Sequence, residues 1–260
     1  MSDRWMPQDC YETVKGAPGH RLVLTCDHGS NRVPEELGDI GLSADDMARH
    51  IAWDVGARGV TLGLARRLGG AAVLSTVSRI VIDPNRAEND PTLVRRIYDR
   101  SVVPGNRGVD AAERARRIAA YYAPYHAAVD AKVDAVLARG EVPSVVAIHS
   151  FTPQLAGRPP RPWEVGILWD GTDGRIAVPL MARLRAEGWC VGDNEPYPGT
   201  YGGDSQDRHA MQRGLPNVLI EVRNDLISDA AGQEAWAGHL APHLAAILAD
   251  PAVGRRFEAA

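Results

Sequence analysis

The sequence predicts an α/β protein: one central sheet, mostly parallel or mixed, with helices on both faces. Three observations carry that expectation. The apolar runs at 21–26 (RLVLTC), 145–150 (VVAIHS) and 217–222 (NVLIEV) lack polar alternation, as strands buried on both faces do. Stretches of helical periodicity alternate with these runs. Each run also ends in polar residues, which places those residues beyond the carboxyl ends of strands, where open α/β sheets bind ligands.

The bulk numbers agree. A chain of 260 residues with 45% hydrophobic content can bury one large core, so a single domain over 1–260 is expected. The net charge of -4 and the dispersed arginines argue against nucleic acid as a partner. Three scattered cysteines, Cys10, Cys26 and Cys190, make no disulfide framework and suggest a reducing compartment. Residues 1–19 are polar and lack the apolar core of a signal peptide. No run approaches the ~20 apolar residues that span a bilayer. The expectation is a cytoplasmic protein without a membrane partner.

In chain order, 1–19 reads as an irregular lead-in. Strand 21–26 is followed at once by Asp27-His28-Gly29-Ser30-Asn31-Arg32, a strand-end loop. Ser43 has the form of an N-cap with Asp45 and Asp46 in the first turn, opening a helix to about Leu68 that Gly56, Gly59 and Gly63 weaken. On such a helix His50 and Asp54 share a face. Gly69-Gly70 ends it, and strands are expected at 71–76 and 79–82. Asp83-Pro84-Asn85-Arg86 then forces a turn. Residues 87–109 read as a surface excursion forming a lid or rim. The clearest helix is 110–139, with Ile118, Tyr122, Val129, Val133 and Val136 at core spacing. After strand 145–150 come a Pro- and Arg-rich loop, strand 164–169, helix 173–187, a short strand at 189–191, and a glycine-rich loop at 193–209. Strand 217–222 and helix 229–248 complete the chain.

Four expected strand ends therefore carry chemistry: Asp27 and His28; Asp83, Asn85 and Arg86; His149 and Ser150; Glu221 and Arg223. Two histidines from separate strands begin a zinc site, because neutral imidazole suits that ion and a catalytic zinc takes three protein ligands. Glu221 inside an apolar strand costs several kcal/mol without a partner. Beside a metal it can serve as a general base, and an arginine nearby can hold a substrate carboxylate.

These residues give the chain its resemblance to the N-formylglutamate amidohydrolase family over roughly 20–230. The matching segments are CDHGSNRVP (26–34), HIAWDVGA (50–57), SRIVIDPNR (78–86), IHSFTP (148–153) and GLPNVLIEVRNDL (214–226). The resemblance implies a zinc-carboxypeptidase-like three-layer fold, a zinc cofactor and a small-molecule substrate bearing a carboxylate. Carried over residue by residue, it implies His28 and His149 as metal ligands and Glu221 as general base. It makes Asn85 and Arg86 carboxylate anchors, with Arg32, Ser150 and Arg223 as further substrate contacts. Carboxypeptidases use His-x-x-Glu where this chain has His28-x-x-Asn31. The third ligand is then Asn31 through its amide oxygen, or one of Asp27, Asp54 and Asp83. Arg32, Arg79 and His209 are the candidates for stabilising an oxyanion. The implied reaction is hydrolysis of an N-acylated acidic amino acid, N-formyl-L-glutamate first. The alternatives are a deacylase or carboxypeptidase with another substrate, and a ligand-binding relative without a competent metal site.

Overall fold

The structure, a computed structural model, describes residues 7–199 and 201–257. Residues 1–6 of the expected lead-in and Thr200 of the expected second loop lie outside the described residues. Seven strands form one mixed sheet: β1 (Tyr11–Val14), β2 (Leu22–Cys26), β3 (Ala71–Ser75), β6 (Ser144–Phe151), β7 (Val165–Leu168), β8 (Val191–Asp193) and β9 (Asn217–Arg223). A hairpin of β4 (Ile97–Tyr98) and β5 (Ser101–Val102) stands apart. The sheet order is β1-β3-β2-β6-β9-β7-β8. Strands β3, β2, β6 and β9 run parallel, while β1 and β7 pair antiparallel with β3 and β9.

Alternation along the strands sorts side chains to two faces. Val146 and Ile148 of β6, with Val218, Ile220 and Val222 of β9, pack with helices α2 (Ala57–Leu68), α5 (Ala177–Ala186) and α7 (Ala230–Leu248). Val23, Val73 and Val145 on the opposite face pack with Tyr125, Val129 and Val133 of helix α4 (Ala123–Leu137). Ala147 and Leu219 lie further along this second face in a small cluster of their own. His149 and Glu221 come next on that face. They are register partners across β6 and β9, at the carboxyl ends of both strands. Helices on both faces and a mixed sheet agree with the fold class expected from the sequence. Among the described residues no helix is long and apolar enough to cross a membrane.

Several boundaries differ from expectation for identifiable reasons. The lead-in is not irregular throughout, because residues 11–14 add an edge strand, β1, to β3. The expected helix over 44–68 is two: α1 (Ala44–Ala48) and α2, separated by a loop that carries His50 and Asp54. Arg49, whose backbone is extended, ends α1, and Gly56 opens α2. The Gly56 φ is +82°, and a Cβ there would meet the Ile227 carbonyl oxygen at 2.1 Å. His50 and Asp54 therefore share a loop rather than a helix face. Residues 79–82 are not a strand, since the Val81 amide turns back to the Ser78 carbonyl at 2.9 Å. Ile80, Val81 and Ile82 instead fill a second core with Ile51, Leu93 and Val103. The 87–109 excursion is thus partly buried. Asn106 and the buried Arg117 of helix α3 (Ala111–Arg117) pin it through the Ile80, Val81 and Arg95 carbonyls. A π-turn at Ile118–Tyr122 joins α3 to α4 within the single helix expected there. The glycine-rich loop closes on a short helix, α6 (Ser205–His209), and the strand expected at 189–191 begins at Val191.

Candidate active site and metal centre

The site is built from β2, β6 and β9 ends and two loops. His28 follows β2, and its backbone carbonyl accepts from the Asp54 amide at 2.9 Å, which draws the 49–56 loop over the sheet edge. His149 is the sixth residue of β6. The His28 and His149 rings meet edge to face with centroids 5.0 Å apart. Asp54 lies between them: its Oδ2 is 3.2 Å from His28 Nδ1 and 2.9 Å from His149 Nδ1. Ligand atoms of His28, Asp54 and His149 all lie within 4.8 Å of one another, and all three residues are buried.

A second set of carboxylates orients the two imidazoles. His28 Nε2 is 2.7 Å from Asp83 Oδ1, and His149 Nε2 is 2.8 Å from Asp27 Oδ2. Tyr125 donates its hydroxyl to the other Asp27 oxygen at 2.8 Å, and burial with the nearby Asp27 charge keeps that phenol protonated. Arg79 donates to Asp54 Oδ1 and Asp83 Oδ2, each at 3.1 Å, and ties the two carboxylates together. Burial alone would push Asp27 up, but the His149 hydrogen bond and charge hold its carboxyl well below the usual range. Burial likewise opposes a charge on His149, yet its bonds to Asp27 and Asp54 raise the imidazole well above its ordinary value.

This arrangement fits a divalent cation. If each Nε2–H donates to its outer carboxylate, both Nδ1 lone pairs face Asp54, an unfavourable juxtaposition unless a proton or a cation sits among them. Two imidazoles and a carboxylate, each imidazole backed by a second carboxylate, is the donor set and outer shell of histidine-rich metal sites. Four buried carboxylates (Asp27, Asp54, Asp83 and Glu221) share this region with the arginines Arg79, Arg86 and Arg95.

A cavity lined by His28, His149 and Glu221 opens here. The Glu221 Oε2 is buried without a hydrogen-bond partner among the described residues. Burial is the main cause that pushes its carboxyl up to about 7. Asn85 and Arg86 also line the cavity. Asn85 Oδ1 accepts the Ser205 amide at 3.1 Å, which leaves its NH₂ for other partners. The Arg86 guanidinium stacks 4.7 Å from the Tyr201 ring centroid. Near them Asp204, which caps α6, is raised to about 6 chiefly by burial.

The other candidates lie elsewhere or act indirectly. Asn31 donates its amide to the Met47 carbonyl at 2.9 Å, and the carboxylate between the two histidines is that of Asp54. Asp27 contacts His149 from the outer side. Arg79 lines the cavity, but both its terminal nitrogens are engaged by Asp54 and Asp83. Ser150 donates its hydroxyl to the Val55 carbonyl, and its amide is 3.3 Å from Asp54 Oδ2, so it holds the loop rather than lining the cavity. Arg32 is exposed and donates to Thr76 and Asp9. Arg223 pairs with Asp225 and the Trp163 carbonyl. His209 sits in a separate buried chain, its Nε2 2.7 Å from His126 Nδ1 and its Nδ1 2.8 Å from Asp130. His50, which the sequence pairs with Asp54, lines the cavity and is neutral because burial lowers it to about 3; Tyr98 and Tyr197 line it too, without being singled out as site residues in the sequence.

Comparisons place this chain among known proteins. The sequence model of a family described as N-formylglutamate amidohydrolase matches residues 20–228. A solved gene product of Agrobacterium tumefaciens is similar, with 35% identity and a TM-score of 0.88 over 94% of this chain and 98% of that one. An N-formylglutamate amidohydrolase from Ralstonia eutropha JMP134 shares the fold at 22% identity and a TM-score of 0.63, covering 92% of this chain and 95% of its own. The search of curated proteins gave no match.

Proposed function

This chain belongs to the N-formylglutamate amidohydrolase family, a family of hydrolases, and from that premise we propose that it hydrolyses the amide bond of an N-acylated acidic amino acid in a zinc-dependent reaction. N-formyl-L-glutamate, giving formate and glutamate, is the substrate of first choice. The observation that carries the proposal is the Glu221 carboxylate, with one buried oxygen unpartnered among the described residues and in register with His149, at a cavity lined by His28 and His149, which Asp54 joins from behind.

His28, Asp54 and His149 would hold the cation. When bound, zinc lowers the pKa of water and polarises the acyl carbonyl. Asp27 and Asp83 fix the imidazole orientations, and Arg79 holds Asp54 and Asp83 in place. Glu221, raised to about 7, is balanced between its two protonation states near neutrality. It takes a proton from the attacking water and passes it to the departing amino nitrogen. Arg86 and the Asn85 amide grip a substrate carboxylate, which orients the scissile bond over the buried group.

The test is formate release from N-formyl-L-glutamate by the zinc-loaded protein. Release that disappears in Glu221→Gln supports the proposal. A zinc-loaded protein that releases no formate overturns N-formyl-L-glutamate as the substrate.

A further inference from the structure

We infer that the Tyr98 ring is the wall that limits the acyl group of the substrate to a short chain, an inference that rests on the amidohydrolase function proposed above. Two cavities meet at this residue. The first lies over His28, His149 and Glu221. The second is an open cleft with Ile51, Val55 and Leu155 among its lining. Tyr98 and His50 line both. Their rings stand 6.3 Å apart at 47° and form the partition.

The carboxylate anchors locate one end of the substrate. Asn85 is tied to α6 through Ser205, and Arg86 lies over Tyr201, so the anchors group on the α6 side of the cavity. Beyond the anchors and the buried group, the cavity is walled by His50 and Tyr98 and by Leu168, Tyr197 and Leu219; we place the acyl substituent against His50 and Tyr98, the part of the wall that also borders the second cavity. A formyl group carries only hydrogen at that position; a longer acyl chain would meet the phenol ring.

The wall is held firmly. Arg95 and Arg79 lie 4.6 and 5.4 Å from the Tyr98 ring centroid. The hairpin that presents it turns through Asp99 and Arg100, with φ of +42° and +66°. The Asp99 carboxylate accepts from Arg49 at 3.1 Å and from the Ala156 amide at 3.0 Å. Removing the ring would open the first cavity toward the second, where Ile51, Val55 and Leu155 offer an alkyl chain apolar contacts beside the polar Arg49, Gln154 and Asp225.

The experiment compares kcat/KM for N-formyl-, N-acetyl-, N-butanoyl- and N-hexanoyl-L-glutamate in the zinc-loaded wild type, Tyr98→Ala and Tyr98→Phe. Each methylene newly buried contributes about fourfold, so Tyr98→Ala should raise the hexanoyl-to-formyl ratio at least tenfold. Tyr98→Phe, which keeps the ring, should keep the wild-type ratio. Affinity for the two extreme ligands in the metal-free proteins, by calorimetry, should shift the same way without turnover. Tyr98→Val supplies a milder opening if the alanine variant does not fold. Unchanged ratios in the opened variants, with formyl turnover intact in the wild type, overturn the wall and leave the amidohydrolase function standing. A wild type that cleaves none of the four overturns both.

Discussion

Replacing Glu221 by glutamine should push activity and stability in opposite directions. The carboxyl is buried, with one oxygen unpartnered, and its pKa rises from an ordinary 4.5 to about 7. For an acid raised on folding, the folded state holds its proton longer than the unfolded chain does. The wild type is therefore unpenalised below about pH 4.5, loses stability as the pH climbs toward 7, and carries the full cost above it. At 1.36 kcal/mol per tenfold, that cost is about 3 kcal/mol. Glutamine has nearly the same shape and cannot ionise, so metal-free Glu221→Gln should be more stable than metal-free wild type by up to about 3 kcal/mol at pH 8, with little difference at pH 4.5. Loss of a general base should lower kcat by ~10²–10⁴-fold. Denaturant melts at the two pH values and formate release at pH 7.5 measure both. Full turnover in the variant would remove Glu221 from the mechanism. An equal stability gap at both pH values would show that the carboxyl bears no ionisation cost.

Other consequences concern the buried group and the anchors. His149→Ala and Asp54→Asn should each abolish stoichiometric zinc uptake, read by elemental analysis after dialysis; retained metal would place the ion elsewhere. Asp27→Asn, which weakens the hold on His149 Nε2, should cost about 10–100-fold in metal affinity while the fold persists. Because the His149 imidazole keeps its proton well above its ordinary value, metal must displace that proton. Zinc affinity should rise with pH through neutrality, with proton release visible as a buffer-dependent binding enthalpy; a pH-independent affinity would contradict it. Arg86→Ala should raise KM for N-formyl-L-glutamate by about 10–100-fold, the ~1.5–3 kcal/mol of a charged hydrogen bond, with a smaller change in kcat.

The parts of the fold that announce themselves in the sequence are those where burial is uniform. VVAIHS and NVLIEV could only be central strands, and His149 and Glu221 fall at their carboxyl ends as parallel topology requires. Residues positioned by loops are harder to read. Asp54 shows as a helical neighbour of His50 because Ala44 to Leu68 keeps an apolar period, whereas the chain leaves the first helix at an extended Arg49 and only re-enters helix after Gly56, packed on Ile227. The His-x-x-Glu pattern of carboxypeptidases draws attention to Asn31, three residues from His28, when the carboxylate arrives from 26 residues away. β1 escapes notice because YETV is a short edge strand without an apolar run. Tyr98 depends on a hairpin whose turn has neither Asn-Gly nor Asp-Gly. His209 stands out in a glycine-rich loop, yet its partners Asp130 and His126 come from α4, and no local pattern links them.

In the proposed reaction, a cation held by His28, Asp54 and His149 and a proton carried by Glu221 together cleave an N-acyl acidic amino acid. The decisive experiment pairs the zinc content of the purified protein with formate release from N-formyl-L-glutamate, with and without a chelator. The prediction is near-stoichiometric zinc, formate release that the chelator abolishes, and recovery on adding zinc back. Formate release that persists in chelated, metal-free protein would contradict it.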